Sequence, residues 1–185
     1  MKTSFLPILC VLSSALAAPL GLVARETLVI ENSIRTISAS LQNLAAEIRA
    51  LDNHRAGTPF NDHVALIKHH GDDLANSISR AAGDVRRAPN VNLNEANSLF
   101  LPVQNLADST QRAVDAWIAA KNTVVRSGGQ QVVVNIIRNQ RNAGEEFTKA
   151  VVSKMPAAAA FVGQLYGDRV RASADLALRA YGERP

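Results

Sequence analysis

An all-α bundle of about five long amphipathic helices is the fold the sequence predicts, and three observations carry it. From Ile30 to Leu51 the large apolar residues (Ile30, Ile34, Ile37, Leu41, Leu44, Ile48, Leu51) step alternately by four and three. A helix gathers that spacing on one side, whereas a strand would scatter it over both faces. The same step returns in two later segments. Turn formers at Gly57-Thr58-Pro59, Pro89, Gly128-Gly129 and Pro156 then cut the chain into rods of helical length.

The elements follow in order. Ala18 to Val23 is a short lead in which Pro19 and Gly21 delay the first helix. The Ile30–Leu51 stripe, roughly 30 Å long, runs down that helix with Glu31, Arg35, Gln42, Glu47 and Arg49 facing water. It should stop near Asp52, before the turn formers that end in Gly57. Thr58 and Pro59 are a capping hydroxyl and the residue tolerated at a first helical position, and Asp62 adds negative charge beside the helix start. The second stripe is Phe60, Val64, Ile67, Gly71, Leu74 and Ile78, fading between Gly83 and Arg87. Asn94 is the expected cap of a third helix carrying Leu99, Val103, Leu106, Thr110, Ala113, Trp117, Ala120 and Val124. Pro102 either kinks it or marks a separate turn ahead of the main rod. Gln130 to Lys154 begins with a β-branched run, QQVVVNII, that would suit a strand. No second run offers to pair with it, so a helix with Ile136, Gln140, Ala143, Phe147 and Ala150 on one face is expected. Pro156 opens a last helix with a wide apolar face that includes Ala158, Phe161, Val162, Leu165, Tyr166, Ala172 and Leu176.

Composition narrows the function. Residues 1–17 read as a secretory signal peptide: Lys2, an apolar run, then Ala15-Leu16-Ala17 as a small-x-small cleavage site. Residues 18–185 are then a single helical domain, exported and extracellular. The one cysteine, Cys10, falls inside the signal, which leaves no thiol for a disulfide, a nucleophile or a metal. The net charge of +4 is interspersed along the chain, and aromatics make up only 4%. Neither suits nucleic acid, which needs a basic strip and rings to stack on bases. After the signal no apolar run is long enough to span a bilayer.

Enzyme signatures are missing in turn: no glycine-flanked nucleophilic serine, no phosphate-cradling loop, no paired-histidine zinc helix. His63, His69, His70 and Asp73 lie on one helix, but no third ligand is placed with them, so no metal and no cofactor are expected. Arg86-Arg87 suits a helix C-terminus better than a processing site.

What remains is apolar. Small residues are frequent where the helices must meet (Gly144, Ala157 to Ala160, Gly163, Gly167), and Thr110 and Gln140 interrupt otherwise apolar stripes. Two arrangements fit: close packing, with Thr110 bonded to its own backbone and Gln140 at the rim, or a cavity between helices. In the second, Val103, Leu106, Phe147, Val151, Phe161 and Leu165 form an apolar tube, and Thr110 and Gln140 are its polar anchor.

Two stretches, NLADSTQRAVDAWIAAKNTV and EEFTKAVVSKMPAAAAFVGQLYGDRVRASADLALRAYG, resemble the fungal hydrophobic-surface-binding protein A family, to which cell-wall galactomannoproteins also belong. The resemblance spans nearly all of residues 18–185. It implies a secreted helix bundle without enzymatic activity that adsorbs to hydrophobic surfaces, with secreted hydrolases as partners. For the related wall proteins it implies a fatty acid held between helices. This sequence departs from the mannoprotein branch in showing no Ser/Thr-rich stalk and no anchor signal, so covalent wall attachment is not expected. The leading expectation is therefore a binder of apolar surfaces or fatty-acid-like lipid. The alternative is a structural cell-wall component with a fully packed core and no specific ligand.

Overall fold

A computed structural model describes residues 20–52 and 60–184. They form α1 (Leu20–Asp52), α2 (Phe60–Arg87), α3 (Leu93–Ser98), α4 (Phe100–Arg126), α5 (Gln130–Val152) and α6 (Ala157–Ala180). No strand occurs among the described residues. The fold is thus all-α: five long helices and one short turn of helix.

The α1 stripe is the inner seam it promised to be. Ile30, Ile34, Ile37, Leu41, Leu44, Ile48 and Leu51 are all buried, none more than 7% exposed. The helix itself starts earlier than expected, at Leu20, with Gly21 inside it. One glycine costs a helix only about 1 kcal/mol, which propagation along so long a rod can offset. The turn expected at Gly57-Thr58-Pro59, like residues 1–17, lies outside the described residues. Downstream, Ile67, Leu74 and Ile78 of α2 are buried as a second stripe. Arg86 and Arg87 sit in its last turn, where basic side chains suit the helix dipole. Arg86 donates to Glu146 of α5 at 2.5 Å. Lys149 first, and Arg86 with it, hold the Glu146 carboxyl below the usual carboxylate range.

The segment around Pro102 resolves into the second of its two alternatives. The cap is Asn92 rather than Asn94: its side chain accepts from the Glu95 N–H at 3.1 Å, and the Glu95 carboxylate accepts from the Asn92 N–H at 2.6 Å. This reciprocal box satisfies two donors that a helix start leaves free. It opens α3, which ends before Leu99, and α4 begins at Phe100. The Pro102 ring would clash with the carbonyl four residues back, at Ser98, had one helix continued through. The β-branched run QQVVVNII lies wholly within α5, where Val133, Val134, Ile136 and Ile137 are buried against other helices. Tertiary burial overrides local strand propensity there.

Each long helix packs lengthwise against two others: α1 on α2 and α4, α2 on α1 and α5, α5 on α2 and α6, α6 on α5 and α4. α4 and α5 are consecutive in the chain but are not packed along their lengths. The order α1–α2–α5–α6–α4 closes into a ring. Ring size matters, because with neighbouring axes ~9.5 Å apart the centre of a pentagon lies about 8 Å from each axis, against about 7 Å in a square. Five helices leave an axial space that four would fill.

α6 closes the ring from two sides. It runs parallel to α4, joined by Arg169–Asp108 (3.3 Å), Ser173 donating to Gln111 Oε1 (3.0 Å), and Tyr181 donating to the Trp117 carbonyl (2.8 Å). It runs antiparallel to α5, where Arg141 meets Asp175 at 2.6 Å and Glu145 meets Arg171 at 3.3 Å. The α5–α6 approach is close. A Cβ at Gly167 would overlap Cγ2 of Thr148 and stand 3.1 Å from its Cβ, and one at Gly163 would come within 2.9 Å of the Met155 sulfur. Glycine at 167 lets backbone approach side chain where alanine would not fit, and at 163 an alanine would require the flexible Met155 side chain to shift.

Candidate apolar ligand site

Inside the ring lies a cavity of about 110 Å³, with side chains from all five long helices in its wall. Ile34, Ile37 and Leu41 come from α1 and Ile78 from α2. The wall runs from Val103 to Trp117 on α4, from Ile137 to Val151 on α5, and from Gly163 to Ala177 on α6. Each of these last spans rises about 21 Å, so the space is long, narrow and parallel to the helices. Its inner surface is mostly apolar. At the end where α6 finishes, Trp117 is plugged from behind by Tyr181, both almost fully buried. Close packing throughout is therefore not what the core adopts.

The structure gathers most of the residues singled out from sequence into that wall: Val103, Leu106, Phe147 and Val151, with Thr110 and Gln140. Phe161 and Leu165 are not among them. They are 74% and 59% exposed. The inner face of α6 is instead made by Gly163, Tyr166, Gly167, Val170, Ala174 and Ala177. The reason is steric: α6 lies so close to α5 that glycine must face inward, which turns the bulky Phe161 and Leu165 to the outside.

The two proposed polar anchors are both engaged within the protein. The Thr110 hydroxyl donates to the Leu106 carbonyl at 3.0 Å, the local helix bond open to a threonine in mid-helix. Gln140 donates a long bond, 3.4 Å, to the Gly71 carbonyl of α2. The charged part of the wall escaped the sequence reading altogether. Arg141 and Glu145 of α5 and Arg171 of α6 line the cavity. Arg141 donates through Nε to Asp175, both side chains only 17% exposed. Arg141 and Arg171 both approach Oε1 of Glu145 at 3.3 Å. The signal for this cluster was present in the spacing: 141 with 145 and 171 with 175 are i,i+4 pairs of opposite charge on two helices that turn out to be neighbours.

Elsewhere, His69 lies 3.2 Å from Asp73 on the exposed side of α2. Among the described residues, no group of three or more metal-ligating side chains converges on one point. No described helix is long and apolar enough to cross a membrane.

Comparison with known proteins adds to this geometry. A family profile described as "Hydrophobic surface binding protein A" matches residues 28–153. Cell wall mannoprotein 1 of Aspergillus fumigatus is 28% identical over 156 residues, which cover 84% of this chain and 51% of that protein. Its counterpart from Aspergillus flavus is 27% identical, covering 84% and 54%. The chain thus spans about half the length of the curated relatives it matches. Among solved structures, ligand binding domain 2 of the Penicillium marneffei MP1 protein, complexed with multiple arachidonic acids, superposes with a TM-score of 0.74 at 21% identity. That match covers 83% of this chain and 94% of the domain. AFMP4P in complex with palmitic acid superposes with a TM-score of 0.77 at 14% identity, covering 84% and 99%. At those identities the likeness is one of fold.

Proposed function

We propose a function from a plain premise: this chain belongs to the hydrophobic surface binding protein A family. It is a non-enzymatic carrier of a long acyl chain, of the fatty-acid type, held in the axial space of the five-helix ring. The observation that carries this reading is the cavity itself, a long apolar tube to which every long helix contributes. That structures of the same fold hold arachidonic and palmitic acid supports it. The volume of about 110 Å³ is well under the roughly 300 Å³ at which small-molecule pockets begin. The tube therefore widens as a chain enters, and the wall best suited to move is α6, whose Phe161, Leu165 and Leu176 already face water.

The protein acts outside the cell, at or near a fungal wall, after removal of residues 1–17; likeness to cell wall mannoproteins supports that placement. Native mass spectrometry of secreted protein tests both statements in one measurement. The expected result is a polypeptide mass beginning at Ala18 together with a species heavier by one or more fatty acids. Protein that is always ligand-free, and that takes up no added palmitate, would remove the carrier reading.

A second activity, adsorption to apolar surfaces, is favoured by one patch. Leu101, Phe161 and Leu165 are 65%, 74% and 59% exposed. Leu101 stands two turns before Asp108 on α4, while Phe161 and Leu165 stand two turns and one turn before Arg169 on α6. Since Asp108 and Arg169 pair across the α4–α6 seam, the three apolar side chains share its outer side. Replacing Phe161 and Leu165 together by serine should reduce depletion of the protein by polystyrene beads while leaving palmitate uptake intact. Undiminished depletion would place adsorption elsewhere on the surface.

A further inference from the structure

We propose that Arg171 is the head-group anchor of the cavity, and that Glu145 is an internal carboxylate which an acidic ligand displaces from it. The proposal rests on the carrier reading above and adds to it an orientation, a partner atom set and a preference for free acids over neutral esters.

A carboxylate drawn into a narrow apolar space needs donors, because an unpaired charge there is costly. The wall offers few that are not already committed. Thr110 gives its proton to Leu106, Gln140 leans on Gly71, and Arg141 is held by Asp175 at 2.6 Å. Arg171 differs from all three. Its one ion pair among the described residues is with Oε1 of Glu145 at 3.3 Å, and its side chain is 53% exposed, so a head group held there sits at the rim of the space. That distance is longer than the 2.7–2.9 Å of a well-formed charge-assisted bond. Oε1 is itself buried, yet neither guanidinium that approaches it meets hydrogen-bond geometry. Oε1 of Glu145 is thus held by its two neighbours through charge alone.

A loosely held internal carboxylate is one that a better-placed carboxylate replaces. The guanidinium fork of Arg171 is suited to a bidentate grip on the two oxygens of a free acid. The exchange keeps the charge in order: Arg141, Arg171, Glu145 and Asp175 sum to zero, and an incoming carboxylate takes the place that Glu145 vacates toward solvent. A methyl ester brings no charge and no reason for Glu145 to leave. The α4–α6 register, 108 with 169 and 111 with 173, puts Arg171 level with Thr110. From there the apolar wall runs in both directions, toward Val103 and toward Trp117.

The test compares palmitate with methyl palmitate in the wild type, Arg171→Met and Glu145→Gln. Displacement of a fluorescent fatty acid reads affinity, and circular dichroism checks the fold. Arg171→Met should weaken palmitate about 10–100-fold, the equivalent of losing one or two charge-assisted hydrogen bonds, and leave methyl palmitate within about twofold. Glu145→Gln removes the internal competitor and should tighten palmitate about tenfold without improving the ester. This second arm stands even if the arginine variant folds poorly. Equal effects on acid and ester in both variants, or none on either, would overturn the anchor while the carrier reading survives. Failure of the wild type to bind either ligand would overturn both.

Discussion

Leu106→Trp should abolish uptake of a fluorescent fatty acid while helix content stays native. Leu106 is a partly buried residue of the cavity wall on α4. An indole is much larger than the isobutyl group it replaces, and it would fill much of the narrow space of about 110 Å³ with the protein's own side chain. Because the added volume enters a void rather than a packed region, the strain usual for overpacking, about 1–3 kcal/mol, is partly relieved. Phe161→Trp is the matched control. Phe161 lies on the outer side of α6, so the same enlargement there should leave uptake unchanged. Persistent binding by the Leu106 variant would move the ligand out of the ring.

Leu44→Ala should destabilise the fold by about 2–5 kcal/mol, the range for truncating a leucine in a filled core. Leu44 is fully buried in the middle of the α1 stripe, between Leu41 and Ile48. α1 packs on both α2 and α4, so a hole at Leu44 deprives two interfaces of contacts. For a chain of this size the midpoint of thermal unfolding should fall by roughly 5–15 °C. A midpoint moved by less than about 2 °C would mean that the neighbours close over the gap or that the seam bears little of the stability.

Helix content and the α1 seam were legible because the residues that specify them are large and regularly spaced. Ile30 to Leu51 leaves no second orientation in which that much apolar surface could be buried. α6 was less legible for the opposite reason. Its sequence is apolar on more than one side, and only contact with Thr148 and Met155 decides that Gly163 and Gly167 face in while Phe161 and Leu165 face out. Size usually marks the inner face of a helix, but at a close crossing smallness does. The same inversion hid the head-group cluster. Arg141 and Arg171 read as solvated charges until α5 and α6 are known to be antiparallel neighbours. Asn92 and Asn94 are both competent caps, and the choice went to the one with Glu three residues later.

The closed circuit of helices is completed by the last of them along the chain. Without α6, the packing of α4 on α1 and of α5 on α2 leaves between them a trough whose sides hold Val103, Leu106, Phe147 and Val151 in the open. Only α6 bridges it, and α6 comes after all of these along the chain. A bundle in which α6 has not yet docked would therefore expose an unroofed apolar channel. An acyl chain that met that state would find an open apolar surface rather than a narrow bore.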